Sequence, residues 1–343
     1  MKHRRRLLVA AAALALARAG AALAQPAVVP AAQPASQPKG GGGAPVLIGW
    51  LVVQSRENAG HFLAAFREGM AALNWKEGAQ FVIEERWANG QSERLPALAA
   101  ELAAKRPALI VAGPSLAVAA AAKAAPGTPI VHATGSDPVA AGFAASLAKP
   151  GGMITGLSNM AVDIASKHTE LLLEAVPKAR RIGFLTDATT INRVRMRQAA
   201  DRAVAHFKIE ARFAEVAHAG EIEAAIAHLA KEGAQALVVF ASPLFNNERH
   251  RIAQLALARR WAMIGSSSEY AEAGALLGYG ANPASNYRRA AYYVDRILKG
   301  AKPGDMPIEQ PMTFEMVING KTAKALGIRL PQSLLIRAER VIE

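Results

Sequence analysis

The sequence predicts an α/β fold built as two doubly wound parallel-sheet lobes. Three observations carry this. Short, nearly continuous apolar runs recur, as in Val46-Leu47-Ile48-Gly49-Trp50-Leu51-Val52, which is the pattern of strands covered on both faces of a parallel sheet. Each run is followed by a stretch with apolar residues at helical spacing, so strand and helix alternate. The alternating series occurs twice, and both copies end their strands in small polar loops.

The elements follow in order. The first strand leads past Gln54, Ser55 and Asn58 into a helix with Phe62, Phe66, Met70 and Leu73 on one stripe, closed by Asn74 and Gly78. Phe81-Val82-Ile83 opens a second strand that runs to Trp87. Ser92 is placed to cap a helix bearing Leu95, Leu98 and Leu102. Leu109-Ile110-Val111 is a third strand, ending at Gly113-Pro114-Ser115. After an Ala-rich helix, the segment 129–133 makes a fourth strand, which stops in Thr134, Gly135, Ser136 and Asp137. Pro138 then suits the first position of a short helix. A strand that feeds a Gly/Ser loop and a helix start is where an open α/β sheet places a ligand. Free N–H groups at the helix start favour an anion such as a carboxylate. Ordinary βα turns use the same residue types, so this stretch gains its meaning from the rest of the chain.

Residues 153–160 are short and extended, and the second series begins behind them. A helix over 164–176 carries Leu171, Leu172 and Val176. A strand over 181–185 ends in Thr186, Asp187, Ala188, Thr189 and Thr190. A helix over 192–207 and a strand over 211–216 follow, then a helix marked by Ile222, Ile226 and Leu229. The strand over 236–240 ends at Ala241-Ser242-Pro243. A helix over 248–259 precedes the strand Ala262–Gly265, which stops in Ser266-Ser267-Ser268-Glu269. The tail makes no third lobe. Residues 276–280 are extended, and Asn282-Pro283 starts a helix with Tyr287, Ala291, Val294 and Leu298 on one face, ended by Gly300 and Pro303. A strand over 314–318 and two short helical segments finish the chain. A lone helix and a lone strand must join sheets already built. The chain therefore crosses between the lobes several times, and those crossings form a hinge.

Residues 1–24 read as a secretory signal peptide: a basic start at Lys2 and Arg4 to Arg6, an apolar run over 7–16, and Ala22-Leu23-Ala24 before Gln25. The run is interrupted at Arg18 and falls short of the roughly 20 residues that span a bilayer. Residues 25–45, QPAVVPAAQPASQPKGGGGAP, form a Pro/Ala/Gly spacer without periodicity. The reading is of a periplasmic, free chain. There is no cysteine, which excludes a lipid anchor on cysteine, a disulfide framework and a thiolate metal site. Net charge is +13; five basic side chains and no acidic one fall in residues 1–24, which leaves +8. The basic residues are scattered among acids without aromatic interleaving. The charge therefore reads as a solvated surface, and nucleic acid is not an expected partner.

Catalysis finds little support. There is no G-x-S-x-G elbow, and Gly265-Ser266-Ser267-Ser268 lacks the flanking glycine. The eight histidines show no metal-ligand spacing, and no cofactor is implied. His132 is expected to be structural, its ring hydrogen-bonded inside, because it lacks the partners of a triad. Binding is the better use of the strand-end loops. In one lobe they offer Gln54, Ser55, Asn58, Gly113, Pro114, Ser115, Thr134, Ser136 and Asp137. In the other they offer Thr186, Asp187, Thr190, Asn192, Ser242, Ser268 and Glu269. Hydroxyls and helix-start N–H groups suit a carboxylate; Asp137, Asp187 or Glu269 would pair with an ammonium. The same residue types are the preferred helix caps, and Asp137 before Pro138 is the plainest case. Trp50 and Trp87 are expected in the core, with Phe245 and Tyr279 as apolar wall of the cleft.

The stretches DPVAAG, SLAKPGGMITGLS and GYGAN, the long block from Tyr287 to Ile328 and the closing LPQSLLIRAERVIE resemble the ABC transporter substrate-binding protein family, in particular its tryptophan- and phenylalanine-binding type. The resemblance spans residues 45–343. It implies a type I periplasmic-binding-protein fold, two lobes joined by a three-crossover hinge, with crossovers near 157–162, 276–282 and 307–313. The lobes would then be 46–157 plus 281–308 and 162–276 plus 313–343. It also implies delivery of a small-molecule ligand to an ABC permease in the inner membrane. The ligand expected is an amino acid or related carboxylate, with aromatic ones among the candidates. A ligand-sensing input protein and, further off, a periplasmic hydrolase are the alternatives. Nothing in the sequence demands more than a monomer.

Overall fold

In the first sheet, β1 (Val46–Val52), β2 (Phe81–Trp87), β3 (Leu109–Gly113), β4 (Ile130–His132) and β5 (Ile154–Gly156) lie in the order β2-β1-β3-β4-β5, every pair parallel. This computed structural model describes residues 44–343. The signal peptide expected over 1–24 and nearly all of the spacer expected over 25–45 lie outside the described residues.

The parallel sheet follows from side chains that alternate between two cores. Ile48, Trp50 and Val52 point into one core with Leu109 and Val111. Leu51, Ile110 and Ala112 point into the other. Helix α1 (Arg56–Ala72) covers the first core, and α2 (Leu95–Ala104) and α3 (Ser115–Ala124) cover the second.

The second sheet contains β6 (Arg181–Asp187), β7 (Glu210–Val216), β8 (Ala236–Val239), β9 (Ala262–Gly265), β10 (Leu277–Gly280), β11 (Glu315–Asn319) and β12 (Arg340–Ile342), in the order β12-β11-β10-β9-β8-β6-β7. Its alternation is just as clear. Ile182, Phe184, Ala236 and Val238 enter one core, with α4 (Ala165–Ala175) and α5 (Arg193–Phe207). Leu185, Leu237 and Val239 enter the other, with α6 (Ile222–Lys231), α7 (Pro243–Asn247), α8 (Arg249–Ala258) and α9 (Ser268–Glu272).

The chain leaves the first sheet after β5 and returns after β10 as α10 (Pro283–Leu298). It goes back to the second sheet at β11, followed by α11 (Gly320–Leu326) and α12 (Gln332–Arg337). Helix α10 packs on α1 and gives Tyr287, Ala290, Ala291 and Val294 to the first lobe's core. The close approach needs Gly69 of α1, where a Cβ would sit 2.4 Å from the Arg288 carbonyl oxygen. Two passages between the lobes run side by side, with Ser158 N–H donating to Glu309 O at 2.8 Å and Glu309 N–H to Gly156 O at 2.9 Å.

Four details differ from the sequence reading. Strand β11 runs antiparallel to β10, because the chain re-enters the second sheet from the other lobe. No helix follows Pro138: residues 138–142 form turns, ended by Gly142 at φ +75°. Helices α7 and α9 and strand β12, each five residues or fewer, carry too little periodicity to be read in advance. Ser92 opens a 3-10 turn rather than capping α2.

Candidate ligand-binding site

The carboxyl ends of both sheets open onto one cleft. From the first lobe it is walled by Gln54 after β1, Pro114 and Ser115 at the start of α3, and Thr134, Gly135 and Ser136 after β4. From the second come Thr190 and Ile191 before α5, Ala241, Ser242 and Pro243 after β8, Asn246 in α7, and Ser266 and Ser267 after β9. Asn159, Ala161, Ile164, Ala281 and Pro283 complete the wall from the passages between the lobes. The empty space between these walls, solvent at the mouth included, is about 920 Å³.

Among the described residues no charged side chain lines this cleft. The polar groups are amides and hydroxyls, and three of them have no partner: Gln54 Oε1, Ser115 Oγ and Thr190 Oγ1 are buried without a hydrogen bond. Leaving such a group unpaired costs about 1–3 kcal/mol, so a ligand that pairs with all three recovers a substantial part of its binding energy. Ser115 is the first residue of α3, where its own N–H and that of Leu116 precede the first intrahelical bond. This end of the cleft donates, and it favours an anion. Phe62 gives the aromatic surface: it reaches the cleft wall while stacked on Tyr287, with centroids 5.0 Å apart and planes 12° from parallel.

Beneath the floor lies His132, wholly buried. A Cβ on Gly135 would sit 2.2 Å from His132 Nε2 and 2.5 Å from Ser115 Oγ. Burial pushes His132 down to about 4, against a contrary pull from the Thr134 backbone. Neither ring nitrogen closes a hydrogen bond of acceptable geometry, so the ring is structural and neutral but lacks the internal bond expected of it.

An ion pair and a histidine–carboxylate hydrogen bond join the lobes beside the cleft. Arg195 of α5 pairs with Asp137, and His61 of α1 meets Glu269 of α9 with Nε2 3.0 Å from Oε1. Burial raises the Asp137 carboxyl, but Arg195 and the N–H groups of Ala140 and Val139 outweigh it and hold the group below its usual range.

Residues 52–342 match the family described as ABC transporter substrate binding protein. The chain belongs to the ABC transporter substrate-binding protein family. A curated relative, the tyrosine-binding protein of Clostridioides difficile, is 25% identical over 266 residues, 77% of this chain and 76% of its own. An ABC domain from Streptococcus pneumonia solved in complex with L-Trp superposes with a TM-score of 0.81 at 23% identity, covering 87% of this chain and 100% of its own. The ligand-free, open structure of CD0873, a substrate-binding protein with adhesive properties from Clostridium difficile, gives 0.63 at 24% identity, covering 87% and 99%. These establish the two-lobed fold. Family membership makes the chain a substrate-binding protein rather than an enzyme.

Within this member of the family, Gln54, Pro114, Ser115, Thr134, Ser136, Thr190 and Ser242 come together on the cleft wall. The other candidates stand elsewhere, for identifiable reasons. Ser55 caps α1 through Asn58 N–H. Gly113 lies against the buried Tyr287 hydroxyl. Thr186 donates to Ala214 O at 3.1 Å inside the sheet. Asn192 is the buried residue before α5. Ser268 donates to Glu315. Asp137 accepts from Val139 and Ala140 N–H, both at 3.1 Å, and pairs with Arg195. Glu269 is held by His61, with Arg249 3.9 Å away. Asp187 stands one layer behind the wall. None of the three acids that were expected to meet an ammonium lines the cleft. Of the aromatics, Trp50 is core as expected, but so is Phe245, and Tyr279 stacks on Phe314 instead of walling the cleft.

The sequence reading missed Phe62, Leu116, Ile164 and Ile191. Leu116, Ile164 and Ile191 lie at or just before helix starts, and Phe62 is on the core stripe of α1; spacing cannot separate apolar residues that face a core from those that face a cleft. Ser266 and Ser267 were legible as part of the loop ending β9. The expected binding serine of that loop, Ser268, is already inside α9.

Proposed function

We propose that this protein captures an amino acid or related small carboxylate, aromatic ones foremost, between its lobes in the periplasm and delivers it to an ABC permease. The observation that carries this is the set of three unpartnered buried polar groups, Gln54 Oε1, Ser115 Oγ and Thr190 Oγ1, drawn from both lobes around one cleft. A carboxylate at the start of α3 would satisfy Ser115, and Phe62 offers a ring to pack against. The ligands of the relatives, tyrosine for the Clostridioides difficile protein and L-Trp in the Streptococcus pneumonia complex, agree with that class. The signal-peptide pattern over 1–24 supports export.

Ligand that touches both lobes stabilises the closed arrangement by its differential affinity. The test is mass spectrometry of small molecules released by denaturing the purified protein, followed by thermal-shift titration with the twenty amino acids and their deaminated acids. A single released carboxylate that raises the melting temperature is the expected result. At a hundredfold excess over Kd it would add about 2.7 kcal/mol of stability. No released carboxylate and no shift from any of these compounds would overturn the reading.

A further inference from the structure

Asp187 closes β6; the residue is 4% exposed and has no cationic partner among the described residues. Its oxygens are held by neutral donors. Oδ1 accepts from Thr189 N–H at 2.8 Å and Thr189 Oγ1 at 2.6 Å, and Oδ2 accepts from Ser242 Oγ at 2.5 Å. Ser242 lines the cleft. A serine hydroxyl has one proton and two lone pairs. The proton of Ser242 is committed to Asp187, and one lone pair faces Phe245 N–H at 3.3 Å. What remains toward the cleft is an acceptor only.

The opposite wall has the reverse character. Ser115 Oγ has no partner and sits with the free N–H groups that begin α3. The cleft thus has a donating end on the first lobe and an accepting end on the second. A buried negative charge without a counter-ion is costly unless something positive approaches it. Among the described residues, Glu315 is a half-buried carboxylate near the cleft that also lacks an ion pair. It is occupied by Ser268 Oγ and Asn282 Nδ2, and neither of those residues lines the wall.

We propose that Asp187 is a positioning residue that fixes Ser242 as an obligate acceptor, so that the cleft selects ligands carrying a protonated amine and orients them amine toward the second lobe. This rests on the amino-acid reading and deepens it: among carboxylates the preferred class becomes zwitterionic, with deaminated acids rejected because they leave the Ser242 acceptor and the Asp187 charge unanswered.

The test is calorimetric binding of L-tyrosine, L-tryptophan, 3-(4-hydroxyphenyl)propanoate and indole-3-propanoate to the wild-type protein and to Asp187→Asn, Ser242→Ala and Glu315→Gln. Wild type should prefer the amino acids, and Asp187→Asn should weaken them by about ten- to a hundredfold while leaving the deaminated acids within about twofold, so that the preference collapses. Ser242→Ala should reduce the preference likewise, and it decides the matter should Asp187→Asn fail to fold by circular dichroism. Glu315→Gln should keep the wild-type preference. An unchanged preference in folded Asp187→Asn, equal wild-type affinity for an amino acid and its deaminated partner, or an equal collapse in Glu315→Gln would overturn the proposal and leave the carboxylate site standing. Wild-type protein that binds none of the four would overturn the proposal together with the aromatic reading beneath it.

Discussion

Arg195, in the first turn of α5, pairs with Asp137 beyond the end of β4, so one ion pair ties the second lobe to the first beside the cleft. His61 and Glu269 make a second tie between α1 and α9. Both exist only while the lobes are together. They contribute to ligand affinity without touching ligand, because anything that stabilises the closed arrangement raises the apparent affinity of a ligand that requires it.

Arg195→Gln should therefore weaken ligand binding modestly. The two side chains are 45% and 30% exposed, so screening by water keeps the pair to about 0.2–1 kcal/mol, or up to roughly fivefold in Kd. The change should appear in the dissociation rate and shrink at high salt. Surface plasmon resonance at two ionic strengths reads both. A loss as large at high salt as at low salt would mean that Arg195 acts by some route other than this pair.

Ser136→Phe should block the cleft at little cost to the fold. Ser136 lines the wall, is 9% exposed and lies in a loop rather than a packed layer. Ligand binding should fall by more than about tenfold, while the unliganded melting temperature stays within a few degrees. A drop of the unliganded melting temperature by ten degrees or so would instead mark Ser136 as structural.

The fold was legible because strands such as β3 and β8 are apolar on both faces, and only a covered parallel sheet explains that. The cleft was legible where a strand ends in small polar residues, as at Thr134 and Ser136 or at Ser242. It was not legible where the same residue type has a second use. Ser55 and Ser242 both cap helices, yet Ser242 alone faces the cleft, and composition cannot separate them. Two of the acids, Asp137 and Glu269, are placed by a different kind of contact. A carboxylate at a strand end looks free in sequence, but Asp137 and Glu269 are claimed by Arg195 and His61 from the opposite lobe. Those are contacts between distant parts of the chain, and no local pattern announces them. The antiparallel β11 belongs to the same class, since its direction depends on which lobe the chain has just left.

Gly135→Ala should damage both stability and binding. The added methyl would meet His132 Nε2 at 2.2 Å and Ser115 Oγ at 2.5 Å, and both atoms belong to buried residues that have no room to retreat. Overpacking of this kind costs about 1–3 kcal/mol. Because Ser115 is the group displaced, ligand affinity should fall as well. Urea titration and calorimetry on the same variant check the two effects, and a variant as stable as wild type with full affinity would contradict the packing described for this loop.

Stability should fall as pH drops from about 6.5 toward 4, and two buried histidines should account for much of the slope. Burial pushes both His132 and His168 down to about 4, whereas in the unfolded chain each titrates near 6.5. Between those values the unfolded state binds protons that the folded state refuses, so unfolding gains free energy as acid is added. Each histidine should therefore cost about 2 kcal/mol of stability between pH 7 and pH 5. The loss levels off below about pH 4, where the folded form takes up the proton too. Carboxylates held low by their partners, such as Glu309 by the Arg289 hydrogen bond, act in a separate window: their contribution is present above the ordinary carboxylate range and is lost below it. His132→Gln and His168→Gln remove one titrating group each. His132 has no hydrogen bond to lose, while His168 Nε2 gives up its bond to Tyr279 O at 2.8 Å, so His168→Gln should be the less stable of the two at pH 7. Urea unfolding at pH 5, 6 and 7 should show a shallower pH slope in each variant than in wild type. A slope unchanged in both would mean that the two rings are protonated inside the fold, contrary to their burial.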